Sequence, residues 1–217
     1  GQLKKNPTVI KNPGEGHGAT PRDMAMMRID QIDDERIIQG LKSRRLAIVD
    51  SQYYWVKDIA AVGGAAGGTI SMITTGDVKA PGATNVVQGS LDTDNWFLCT
   101  GIILKTGLYG TDVTHLLEAE FNLKAIAGVA LTPNVANGDF EFRVNGGKHV
   151  VPKDTSCQVF CTGKTTEAVG YFKLSSPKWI RPKSDMFFDI KLPKTITAVP
   201  ALTACRLELV GASVVVY

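Results

Sequence analysis

No stretch of the sequence comes near the roughly 18 consecutive apolar residues that a membrane-spanning helix requires. The longest candidate, residues 59–73, is broken by Gly63, Gly64, Gly67 and Gly68, and this cluster reads as a flexible joint. The first thirty residues also lack the apolar centre of a secretory signal, so the expected chain is soluble and carries no visible targeting segment. Cysteine is scarce too. Cys99, Cys157, Cys161 and Cys205 are too few and too scattered for a small disulfide scaffold, and no second Cys-x-x-Cys or His-x-x-x-His element completes a zinc site. Cys157 and Cys161 are spaced to share one face of a strand, which makes them core neighbours rather than ligands.

Excess charge is missing as well. The formal net charge of +3 falls well short of the dense positive surface of a dedicated duplex-DNA binder. Catalytic signatures are equally sparse: there is no Gly-x-x-x-x-Gly-Lys-Ser/Thr phosphate loop, no Gly-x-Ser-x-Gly elbow, no His-Glu-x-x-His and no dinucleotide fingerprint. Three histidines, His17, His115 and His149, leave few general bases. Asp112, His115 and Glu118 are spaced to share one face of a short helix and could hold a divalent metal for a hydrolase, but a solvated polar face is the ordinary use of such a trio. Asp92 and Asp94 alternate like the acids of a calcium loop without its glycine and distal glutamate, so a turn explains them better. The expectation is a non-enzyme with no catalytic, cofactor-binding or metal residues.

What is present fits an ordinary folded protein of 217 residues, 44% hydrophobic and 21% charged, long enough for one main core. Residues 1–22 are polar and punctuated by Pro7, Pro13, Gly14, Gly16, Gly18 and Pro21, with Lys4, Lys5, Lys11 and Arg22 against only Glu15. A segment with so little apolar surface reads as an extended arm that gains order only against a neighbour, and its charge could touch nucleic acid. Residues 33–49, acids first and bases last, suit one short helix, with a strand at 46–49 as the alternative and Gly40 against the helix. Residues 1–50 are therefore assigned to arm and helix, and 51–217 to a β domain.

From residue 51 onward, short apolar or alternating runs recur between Gly, Pro, Asn and Asp clusters. That rhythm predicts strands at 52–56, 69–74, 85–91, 96–105, 125–131, 140–144, 156–162, 170–174, 186–192 and 204–217, the last bent or divided at Gly211. Phe140, Phe142 and Val144 alternate with Glu141 and Arg143 and run into an Asn145-Gly146-Gly147 turn, the pattern of a hairpin. Prolines are expected only at strand margins. One helix is expected at 111–123, capped by Thr111 or Thr114. Ten strands exceed one small sheet, so two packed sheets are the natural solution.

The runs Gly170-Tyr171-Phe172-Lys173-Leu174, Trp179-Ile180-Arg181-Pro182, Met186-Phe187-Phe188-Asp189-Ile190 and Arg206-Leu207-Glu208-Leu209-Val210-Gly211 resemble, in style rather than by a diagnostic motif, the jelly-roll virion proteins of bacterial viruses. The likeness covers somewhat more than half of the chain, at its C-terminal end. It implies an all-β, two-sheet sandwich of jelly-roll type carrying an N-terminal arm. It also implies a structural role in the virion, as a homo-oligomer and with other virion proteins, so that function lies in surfaces rather than in a pocket. The apolar run Val214-Val215-Val216-Tyr217 is expected to be paired or covered. The alternative is a carbohydrate-binding, lectin-like or receptor-binding module, in which Trp55, Trp96 and Trp179 with Tyr53, Tyr54, Tyr109 and Tyr171 line a sugar face; packing is the commoner use of such residues.

Overall fold

The computed structural model describes residues 19–61, 64–108, 131–145, 147–161, 169–195 and 198–216. Among them, eight strands form two antiparallel four-stranded sheets. Strands β1 (Leu46–Asp58), β2 (Thr69–Ser71), β3 (Phe97–Leu108) and β4 (Asp139–Val144) are followed by β5 (Lys148–Ser156), β6 (Tyr171–Ile180), β7 (Met186–Lys191) and β8 (Thr203–Val216). One sheet has the order β1-β8-β3-β6 and the other β2-β7-β4-β5. The pairing is nested: β4 bonds β5, β3 bonds β6, β2 bonds β7 and β1 bonds β8. The mostly-β, two-sheet sandwich read from the alternation is what the chain adopts, with few short helices.

Alternation decides which faces meet. In β4, Phe140, Phe142 and Val144 point inward while Asp139, Glu141 and Arg143 point out, the period-two division that lets one face leave water. The core between the sheets holds Trp55, Phe97, Phe140, Phe142, Phe160 and Phe188 among many aliphatic side chains. Phe140 is its aromatic centre, with ring centroids 4.9 Å from Phe160, 5.4 Å from Phe188 and 6.1 Å from Phe172.

A second, smaller core lies on the outer face of the β1-β8-β3-β6 sheet. Ile48, Leu98, Ala212 and Val214 are covered there by Ala25 and Ile32, with Met24, Ile29, Ile37 and Leu41 packed around them. The cover consists of α1 (Pro21–Met27), a 3-10 turn (Ile29–Gln31) and α2 (Glu35–Lys42). Helix α1 starts on a capping box in which Thr20 accepts from the Asp23 N–H and Asp23 accepts from the Thr20 N–H, with Pro21 at the first position, where its missing donor costs nothing. Thus Pro21 and Arg22, assigned to the arm, belong to a helix docked on the chain's own sheet. Residues 1–18 lie outside the described residues.

Several other boundaries move, each for an identifiable reason. The helix expected at 33–49 is confined to α2, because Arg44 turns left-handed (φ 59°) and Leu46 enters the sheet. Gly40 is tolerated because a Cβ there would sit 2.5 Å from Leu46 Cδ1; its absence lets that side chain in. Strand β1 therefore begins at Leu46 and joins the alternative strand at 46–49 to the one expected at 52–56. Residues 85–91 form turns and isolated bridges instead of a strand, since Gln88 (φ 51°) and Gly89 (φ 63°) are consecutive left-handed positions.

The strand expected at 156–162 also departs from expectation over its described residues, 156–161. A 3-10 turn runs over Cys157–Phe160, capped by the Ser156 hydroxyl on the Gln158 N–H, so Cys157 and Cys161 do not alternate on a strand, although both still pack on the same core. Pro152 and Pro177 lie inside β5 and β6 rather than at their margins; both strands are sheet edges, where a lost donor faces no partner. Strand β8 passes Gly211 without a break. The strand expected at 125–131 falls outside the described residues except at Leu131, and the helix at 111–123 lies wholly outside them. Among the described residues no helix is long and apolar enough to cross a membrane.

Candidate functional site

The two sheets do not close on each other at β5 and β6, their edge strands, and a groove of about 290 Å³ opens there. One wall is Lys148, His149 and Val150, with Asn145 from the preceding turn. The other is Lys178 and Trp179 of β6 with Arg181 just beyond it. Lys178 Nζ donates to the His149 carbonyl at 2.8 Å and so straps one wall to the other. Trp179 is fixed by its indole N–H, which donates to the Arg28 carbonyl at 2.9 Å, and by an edge-to-face contact with Trp96 at 6.4 Å and 76°. The helical cover thus holds the aromatic wall in place, since Arg28 links α1 to the following 3-10 turn.

Charge around the groove is predominantly positive. Lys148, Lys178 and Arg181 are exposed, and Arg181 is paired with Asp33. His149 Nδ1 lies 3.8 Å from Glu141 Oε2, at the end of a polar ladder that crosses the outer face of the β2-β7-β4-β5 sheet. In that ladder the Ser71 hydroxyl donates to Asp189 at 2.7 Å, Arg143 Nη2 donates to Asp189 at 2.7 Å, and Arg143 Nε lies 3.3 Å from Glu141. Arg143 also lies over the Phe187 ring at 5.3 Å. Arg143 Nε, buried, faces Glu141 as an ion pair without a hydrogen bond, so the ladder reads as a charged sheet surface worth tenths of a kcal/mol to about 1 kcal/mol per cross-strand pair.

The aromatic residues proposed for a sugar platform are dispersed by the fold. Trp55 is fully buried between the sheets, Tyr53 packs edge-on against Phe97 at 4.8 Å, and Tyr54 lies beneath Arg206. The Tyr171 ring occupies the space above Gly101. Among the described members of that set, Trp96 and Trp179 alone come together, and Trp96 is buried, so Trp179 is the ring that the groove can use. Asp92 and Asp94 are exposed in a turn closed by the Asn95 N–H on the Asp92 carbonyl. His17, Tyr109 and the Asp112, His115, Glu118 trio lie outside the described residues. Among the described residues, no three His, Cys, Asp or Glu side chains converge as metal ligands.

Comparison with protein-family models, with curated proteins and with solved structures gives no match.

The groove's cations were not visible in the sequence because Lys148 and His149 are separated from Lys178 and Arg181 by a whole excursion of chain. The only local signal is Lys178-Trp179-Ile180-Arg181, two bases flanking an aromatic.

The four cysteines are free thiols, three of them buried. Burial pushes the Cys99 thiol up to about 12 and raises Cys157 and Cys205 as well, leaving scarcely any reactive thiolate near neutrality. Cys161 is partly exposed, and its thiol is raised by the same cause. Titration of the native protein with a chromogenic disulfide at mildly alkaline pH should therefore modify Cys161 alone and slowly, with the other three reacting only after denaturation. Rapid modification of all four would contradict this burial pattern.

Proposed function

We propose that the chain is a structural virion protein whose sandwich is a jelly roll, built to assemble with copies of itself and with other virion proteins. The observation that carries the reading is the nested pairing of strands: the first with the eighth, the second with the seventh, the third with the sixth and the fourth with the fifth. That connectivity is obtained by folding one long hairpin over itself into two four-stranded layers, the architecture shared by capsid and lectin domains. Because one fold serves several functions, surfaces must supply the rest of the argument.

Two surfaces favour contacts between molecules. Met26 and Met27 are more than half exposed on α1, and Val216 is 75% exposed at the end of β8, where it pairs with Leu46. Exposed apolar side chains of this size on the helical cover and at a sheet margin suit a face that is buried in an assembly. The basic segment of residues 1–18 adds a second means of contact, with a neighbouring subunit or with nucleic acid.

Light scattering and negative-stain electron microscopy of the purified protein should reveal closed particles or rings. Met27→Lys together with Val216→Lys should lower the particle mass while leaving the β-sheet circular dichroism unchanged. Truncation should be made before Ala19, which keeps the Thr20 cap intact, and should reduce assembly in the same way. A protein that stays monomeric at high concentration and across salt conditions would overturn the reading.

A further inference from the structure

We propose that the groove between β5 and β6 is a binding site for a single acidic sugar unit, a pyranose ring bearing one carboxylate or sulfate. It stands independently of the assembly reading, and it narrows the sugar-binding alternative to one place on the molecule and one ligand chemistry.

Three features of the groove converge on that ligand. The first is charge: Lys148, Lys178 and Arg181 line one opening, where the acids in reach are Asp33, engaged by Arg181, and Glu141, 3.8 Å from His149. Lys178 spends one of its three donors on the His149 carbonyl, and the remaining two are available to an anion. Hydrogen bonds from ammonium or guanidinium groups to an anion are roughly twice as strong as neutral ones, so a charged substituent is what this rim would select.

The second feature is the Trp179 ring. A bare inorganic anion has no use for it, but a pyranose presents C–H groups that pack on an aromatic face. The ring is only partly covered, and it is immobilised beforehand by Arg28 and Trp96, so ordering it on binding costs little conformational entropy. The third feature is size and rim chemistry. About 290 Å³ falls just below the ~300–1,000 Å³ typical of small-molecule sites, which suits one sugar ring and not a folded partner. Asn145 and Gln31 bring amides that donate to and accept from hydroxyl groups.

The experiment uses the full chain and its intrinsic tryptophan fluorescence, since Trp96 and Trp179 border the groove and Trp55 is buried elsewhere. Four probes are titrated at low salt: glucuronic acid, galactose 6-sulfate, glucose and inorganic sulfate. Saturable changes are expected with one or both acidic sugars, at least tenfold weaker with glucose and with inorganic sulfate, and diminishing as salt is added. The response to the two acidic sugars distinguishes carboxylate from sulfate. Lys148→Gln with Lys178→Gln should weaken acidic-sugar binding at least tenfold. Lys148→Gln alone, on an exposed strand end, should weaken it severalfold and serves if the double variant does not fold. Equal binding of glucose, equal binding of inorganic sulfate, unaltered affinity in the lysine variants, or no saturable response to either acidic sugar would each overturn the proposal.

Discussion

Gly211→Ala should cost about 3 kcal/mol or more, lowering the melting temperature by roughly 10 °C for a chain of this size. A Cβ at Gly211 would stand 1.9 Å from the Leu98 carbonyl oxygen and 2.7 Å from the Phe97 ring. The carbonyl belongs to the neighbouring strand, where Cys99 is the register partner of Gly211 and the ladder shifts between Cys99 and Gly101. Relief of the clash therefore requires β3 and β8, both internal strands, to separate at their shared irregularity. A side chain that could swing aside would make the substitution cheap; a backbone oxygen held in a sheet cannot. Gly76→Ala is the matched comparison, because the nearest atom to its Cβ would be Thr74 Oγ1 at 4.0 Å, and it should change stability by no more than about 0.5 kcal/mol. Urea denaturation of both variants is the measurement. Equal stability of Gly211→Ala and the parent would show that β3 and β8 do not approach as described.

Phe140→Ala should cost about 4 kcal/mol, the range expected when a large buried ring is removed and its neighbours cannot collapse into the space. Phe140 joins groups that come from separate parts of the chain: Phe160 in the 3-10 turn after β5, Phe172 in β6 and Phe188 in β7. Its removal strips an aromatic contact from three neighbours at once. Phe187→Ala, one strand over and on the outer face beneath Arg143, should cost far less because the ring is partly solvated. A double-mutant cycle of Phe140 with Phe160 should give a coupling near 1 kcal/mol, the usual excess of a close aromatic pair over its buried area. A coupling near zero would mean that the two rings do not touch in solution.

The sandwich was legible because period-two alternation survives wherever one face of a strand is buried and the other wet, as in β4 with Phe140, Glu141, Phe142 and Arg143. Legibility failed where one pattern served two geometries. Cys157, Val159 and Cys161 alternate as a strand would, yet Ser156 caps a 3-10 turn over Cys157–Phe160. It failed again at Thr20-Pro21-Arg22-Asp23, where a proline taken as a breaker occupies the one helical position that favours it. Prolines inside β5 and β6 could not be anticipated without knowing that those strands are edges. The groove was the least legible feature of all, since its two walls are contiguous only after β5 and β6 are assigned to facing sheets. Trp96 and Trp179 do come into contact, but the burial of Trp96 and the restraint on Trp179 come from a helical cover that the composition of the first fifty residues concealed.

The concentric pairing also dictates an order of events during folding. Among the described paired strands only β4 and β5 follow one another directly in the chain, so their contact can form while the remainder is still loose; every other described pair requires a wider loop to be gathered, up to the union of Leu46 with Val216. Because wide loops carry a larger closure entropy and remote contacts slow folding, the sheet containing β1 and β8 should be the last to settle and the first to part. The helices over its outer face, anchored through Ile48, Leu98 and Val214, would then act as a clasp that delays its opening.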